Sequence, residues 1–167
     1  MTKASSARKS GKDTGAVAAG RCACGAVEIE IDMPAFWAWH DHSKSTQRAQ
    51  GCAYATYVGC WRSKVRIARG AKSVQGYEDK ETRAIRRFCA KCGTPLLFER
   101  AHAPKMVNIP RALFDTRTGR EPRYHLYKSE SPEWAYHEEA LGPLKGYPGV
   151  LIEKAQRKKV NLPEGMF

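Results

Sequence analysis

No stretch of this 167-residue chain approaches the about 20 consecutive apolar residues that a membrane-spanning helix requires. The short apolar run Ala16–Ala19 is too brief for the hydrophobic region of a secretory signal, so the expected compartment is the cytoplasm. Acidic residues are scarce, with 17 Asp and Glu against 29 Lys and Arg, which leaves a formal net charge of +12. Such a balance attracts nucleic acid, an acidic membrane surface or a small anion. The cations are scattered, however, with Arg62, Lys64, Arg66 and Arg69 in one run and Arg83, Arg86 and Arg87 in another. No basic and aromatic motif of the kind RNA-binding sheets carry is present, so the first expectation is a solvated basic face. Helical periodicity is nearly absent, since only Pro132–Leu141 reads as a helix, and no internal repeat is found. Residues 1–19 lack large apolar side chains apart from Met1 and Val17, so they read as a disordered basic lead-in. Residues 141–167 read as a C-terminal extension, basic at Ala155–Lys159.

What remains is rich in short alternating segments. In Ala26–Ile31, Val27, Ile29 and Ile31 lie on one face and Glu28 and Glu30 on the other, which is the two-residue period of a half-buried strand. Comparable runs occur at Phe36–His40, Ala53–Val58, Lys64–Ala68, Val74–Tyr77, Ala84–Phe88, Leu96–Glu99, Met106–Ile109 and Arg123–Tyr127, separated by glycine and proline turns. The fold class expected is mainly β: one antiparallel domain over residues 20–140.

Six cysteines are present, and four form two tight pairs, Cys22-Ala23-Cys24-Gly25 and Cys89-Ala90-Lys91-Cys92-Gly93. In a reducing compartment such pairs favour metal ligation, and a disulfide within Cys22-x-Cys24 would be badly strained. Four thiolates complete the tetrahedral shell of one Zn²⁺, here joining two β layers across a long loop. The glycine after each pair permits the tight turn that aims backbone N–H groups at sulfur. Isolated Cys52 and Cys60 read as small core hydrophobes. Trp37, Trp39, Tyr54 and Tyr57 read as core or cleft walls, and His102, His125 and His137 as structural or surface residues. A redox role for Cys89-x-x-Cys92 is disfavoured, because the motif follows a strand rather than opening a helix.

Two segments resemble the glutathione-dependent formaldehyde-activating enzyme family, whose superfamily includes centromere protein V. Gly20-Arg21-Cys22-Ala23-Cys24-Gly25-Ala26-Val27 is similar to its opening G-x-C-x-C-G-x-V, and Arg86-Arg87-Phe88-Cys89-Ala90-Lys91-Cys92-Gly93-Thr94 to its R-x-F-C-x-x-C-G-T. Leu113-Phe114-Asp115, Pro122-Arg123-Tyr124-His125-Leu126-Tyr127 and Trp134 resemble the stretch that follows. The resemblance implies a β-tent fold with a structural zinc on Cys22, Cys24, Cys89 and Cys92. It also implies a second, catalytic zinc on a C-H-C-x-x-C segment, where a glutathione thiolate meets an aldehyde in carbon–sulfur lyase chemistry of the S-(hydroxymethyl)glutathione synthase type.

At that second segment the chain departs from the family pattern. Gln47-Arg48-Ala49-Gln50-Gly51 resembles the family's Q-R-A-x-G, and counting back without a gap places Asp41, Ser43 and Thr46 at the three cysteine positions. A shift of one residue instead offers His40, His42 and Ser45. Three readings of His40-Asp41-His42 stay open: an ordinary polar loop, a replacement site of imidazole and carboxylate, and metal-free general acid–base catalysis by His40 and His42. Two functions follow. One is a lyase of the family acting on thiol adducts of aldehydes, with Arg48, Arg62 or Arg87 drawing the carboxylates of glutathione. The other is a non-enzymatic zinc-stapled module binding nucleic acid or an acidic partner.

Overall fold

The structure, a computed structural model, describes residues 15–80 and 82–135. All its regular elements lie in the first of two compact units, residues 1–132. They are β1 (Val17–Arg21), β2 (Glu28–Asp32), β3 (Trp37–Asp41), α1 (Lys44–Gln50), β4 (Ala55–Trp61), β5 (Val65–Arg69), β6 (Val74–Glu78), β7 (Ile85–Cys89), β8 (Pro95–Glu99), β9 (Met106–Pro110) and β10 (His125–Leu126), with short 3₁₀ turns between. The expectation of a mainly β fold holds.

Two sheets form. The smaller has the order β1-β2-β5 and the larger β10-β3-β4-β9-β8-β7-β6. All pairings are antiparallel except β10 with β3, which is parallel and sets His125 opposite His40. The alternation seen in the sequence explains the layering. Ala18, Ile29 and Ile31 of the small sheet and Val58, Cys60, Val107 and Ile109 of the large one bury together in the main core. On the outer face of the small sheet, Arg66 pairs with Glu30 and Asp32, each at 2.7 Å, and Arg69 with Glu28 at 3.0 Å. These cross-strand pairs are half exposed, so they fix register more than they add stability. A second cluster, Trp39, Tyr57, Ala84 and Phe98, gathers apart from the main core.

Three sequence expectations need correction. The disordered lead-in does not extend to residue 19, because residues 17–19 belong to β1 and pair with β2; residues 1–14 lie outside the described residues. A helix is present that lacks an apolar stripe: α1, capped by Ser43, whose hydroxyl accepts from the Thr46 N–H, buries only Thr46. The helix expected at Pro132–Leu141 is absent over residues 132–135, and its remainder, like the 141–167 extension, lies outside the described residues.

Candidate metal centre and neighbouring cleft

The β1–β2 turn carries Cys22 and Cys24, while Cys89 ends β7 and Cys92 lies in the turn to β8, so the two sheets meet at these hairpins. The four sulfurs all lie within 4.8 Å of one another. Cys22 and Cys24 are 3.5 Å apart and Cys24 and Cys89 3.9 Å apart. A tetrahedral ion with bonds of about 2.3 Å holds its sulfurs about 3.8 Å apart, whereas a disulfide needs about 2.05 Å. The cluster therefore has the dimensions of a metal cage, and all six cysteines are free thiols.

Backbone donors surround the sulfurs as the knuckle glycines require. Gly25 and Gly93 sit at φ 69° and 72°. A Cβ at either would meet nothing within 4 Å, so glycine answers a conformational need rather than a crowded one. The Val27 N–H donates to Cys22 Sγ at 3.3 Å, and the Thr94 hydroxyl lies 3.1 Å from Cys92 Sγ. That hydroxyl also accepts from the Ala23 N–H at 3.1 Å, tying one knuckle to the other. Hydrogen bonds from the Thr94 side chain and backbone, with a further contribution from Cys24, push the Cys92 thiol down to about 5. At Cys24 the Ala26 N–H works to lower the pKa, but the Cys92 and Cys22 sulfurs outweigh it and push it up to about 11. Four sulfurs this close cannot all ionise without a cation among them.

His40, Asp41 and His42 do not converge as a trio. Successive strand residues face opposite ways, and the ladder stays extended past β3, with the His40 N–H donating to Tyr124 O and the His42 N–H to Leu126 O. His40 and His42 thus both meet His125, at ring-centroid distances of 5.0 and 5.1 Å, and both touch Tyr54. His42 is fully buried, with Nε2 at 2.9 Å from His125 Nδ1 and Nδ1 at 2.9 Å from Ser131 Oγ. Asp41 instead accepts from the Ser43 N–H at 3.0 Å. Its companions in the ungapped register, Ser43 and Thr46, are joined by the α1 cap. Among the described residues, the four cysteines are the only group of three or more His, Cys, Asp or Glu side chains spaced to hold an ion.

The histidine that sequence reasoning missed is His125. It reaches His40 only through the parallel β10–β3 pairing, which no local pattern announces. His40 lines an open cleft of about 650 Å³ together with Tyr54, Cys52, Thr56 and Arg111. Burial, with the nearby His125 adding to it, lowers the His40 pKa, and the ring otherwise faces Thr56, at 2.9 Å, and Tyr54. A depressed histidine pKa favours folding above the unfolded value near 6.5, and that contribution fades as the pH falls through the folded value. We expect the urea midpoint to drop between pH 7 and pH 5, and the drop to shrink in His40→Gln.

The remaining candidates separate clearly. Cys60 is buried in the main core, where desolvation pushes its thiol up to about 11, and Cys52 donates to Tyr54 O at 3.0 Å. Arg62 and Arg87 both pair with Glu99, at 2.8 and 2.9 Å. Arg86, between Ser45 and the face of Phe98, lies 3.4 Å from the Tyr57 hydroxyl. His102 is exposed, and His137 lies outside the described residues.

A family model described as glutathione-dependent formaldehyde-activating enzyme matches residues 17–130. Among solved structures, a Rhodobacter sphaeroides protein determined as a structural genomics target is 27% identical, with a TM-score of 0.51 over 58% of this chain and 87% of that one. No curated protein matches the chain. The match spans both sheets and both cysteine hairpins, and on that ground the chain belongs to the glutathione-dependent formaldehyde-activating enzyme family.

Proposed function

We propose that this chain is a zinc-stapled binding domain that keeps the family's structural ion and does not carry out its second-zinc chemistry. The observation that carries the reading is the donor set at the second segment. In the ungapped register Asp41, Ser43 and Thr46 take the three thiolate positions; there Asp41 accepts from the Ser43 N–H, Ser43 Oγ accepts from the Thr46 N–H, and Thr46 is fully buried. One carboxylate and two hydroxyls do not suit an ion that must present a soft thiolate at neutral pH. Zinc is assigned to the cysteine cage because four thiolates in tetrahedral spacing match its preference, and the family is associated with that metal. The net charge of +12 supports a polyanionic partner rather than a neutral one.

The test joins metal counting to turnover. We expect one zinc per chain, and we expect the exchange between formaldehyde and glutathione, followed by NMR, to run at its uncatalysed rate with protein present. Acceleration accompanied by a second bound metal would overturn the reading.

A further inference from the structure

The loop of residues 117–124 runs beside the segment leading into β3. Ala35 N–H donates to Thr118 O at 2.9 Å, Arg120 Nε donates to Ala35 O at 3.3 Å, and Arg123 N–H donates to Ala38 O at 3.4 Å. This lacing brings Arg117, Arg120 and Arg123 beside Phe36, Trp37 and Tyr124 around a groove of about 340 Å³. Two of the rings are turned outward: Phe36 is 53% exposed and Tyr124 56%. Phe36 continues onto Trp61, itself 41% exposed, with ring centroids 5.1 Å apart. Exposed aromatics this large in a group mark a contact surface.

The charge is as distinctive as the rings. Arg66, Arg69, Arg62 and Arg87 are held by carboxylates, whereas among the described residues none of the three groove arginines forms an ion pair. Glu121 is the one acidic residue lining the groove. A small anion needs only the cations, and an acidic protein offers carboxylates but few flat apolar faces. Phosphates interleaved with bases match both halves, with the arginines on the backbone and the rings on the bases.

We infer that this groove binds single-stranded nucleic acid, with Phe36 and Tyr124 stacking on bases and Arg117 and Arg123 contacting phosphates. The inference rests on the binding-domain reading and gives it a partner and a place. The sequence hid the surface because Phe36 and Tyr124 come from distant segments and become neighbours only through the loop's hydrogen bonds to residues 35 and 38.

Fluorescence anisotropy of the full chain with a labelled oligothymidylate of about 15 nucleotides tests it, with salt varied. Phe36→Ala/Tyr124→Ala is expected to weaken binding about tenfold or more while leaving the salt slope unchanged. Arg117→Ala/Arg123→Ala is expected to reduce the slope by about 0.7 per arginine. Lys3, Arg8, Lys9 and Lys12 changed together to Gln should preserve the aromatic dependence. Tyr124→Leu keeps the apolar bulk and removes the ring face, so its weakened binding at unchanged circular dichroism supports stacking. Parent-like binding by the aromatic double variant, or competition by polyglutamate as strong as that by oligothymidylate, would overturn the inference. Absence of oligonucleotide binding, with one zinc and no turnover, overturns the groove assignment and leaves the binding-domain reading intact. A second zinc with turnover would strike that reading instead.

Discussion

Cys89→Ser is expected to release the metal and to remove the cooperative unfolding transition, or to lower its midpoint by about 20 °C or more. Cys89 is fully buried at the end of β7, and its sulfur lies 3.9 Å from that of Cys24, 65 positions away in the β1–β2 turn. The ion there closes a long loop and joins two sheets that share no strand pairing among the named strands. Structural zinc in small domains contributes an apparent 10–16 kcal/mol of binding free energy, roughly the whole stability of a domain at about 5–15 kcal/mol. Even a loss of about 5 kcal/mol corresponds to a shift of about 20 °C. Two controls isolate the mechanism. Cys60→Ser, buried in the main core, should cost stability but retain the metal, and Cys52→Ser should do little to either. Thermal melts with zinc analysis on the three variants distinguish a lost staple from a damaged core.

The second large effect is a gain. Replacing Asp41, Ser43 and Thr46 together by cysteine is expected to raise bound zinc from one to two per chain. Ser43 caps α1 by accepting from the Thr46 N–H, and Asp41 accepts from the Ser43 N–H, so the three positions are already gathered at one helix start. Cysteine at these positions exchanges a carboxylate and two hydroxyls for thiolates, softer donors of comparable bulk. The same three substitutions placed in the one-residue-shifted register, at His40, His42 and Ser45, should add no ion, because the two histidine positions face His125 and Ser45 faces Arg86. Zinc counting on both triple variants decides which register the chain inherited. Two ions in the shifted variant and one in the ungapped variant would refute the assignment.

The parts of this molecule that were legible in its sequence are those fixed by local chemistry. Cys22-x-Cys24 and Cys89-x-x-Cys92, each with its following glycine, announced the cage, and the alternation of Val27, Ile29 and Ile31 announced the core face of β2. What escaped was set by distant contacts. Strand β1 has small residues because its inner face lies close to the opposing layer: a Cβ at Gly20 would come within 3.0 Å of the Phe114 ring. Helix α1 is seven residues long with Thr46 alone buried, so it owes its existence to a serine cap and to Gln47, whose amide reaches His42 O and Glu130 O, rather than to periodicity. His125 and the arginine loop join the rest of the molecule through parallel pairing and loop lacing across more than 80 positions. Within the candidate site, then, spacing along the chain revealed the ligands that are sequence neighbours and concealed the residues that β10 and its preceding loop deliver.

X-ray absorption at the zinc edge of the purified full chain bears most directly on the four-sulfur cage. The account requires one zinc per chain surrounded by four sulfurs at about 2.3 Å and no lighter ligand. A shell containing nitrogen or oxygen, or a chain that folds fully with no metal bound, would contradict it.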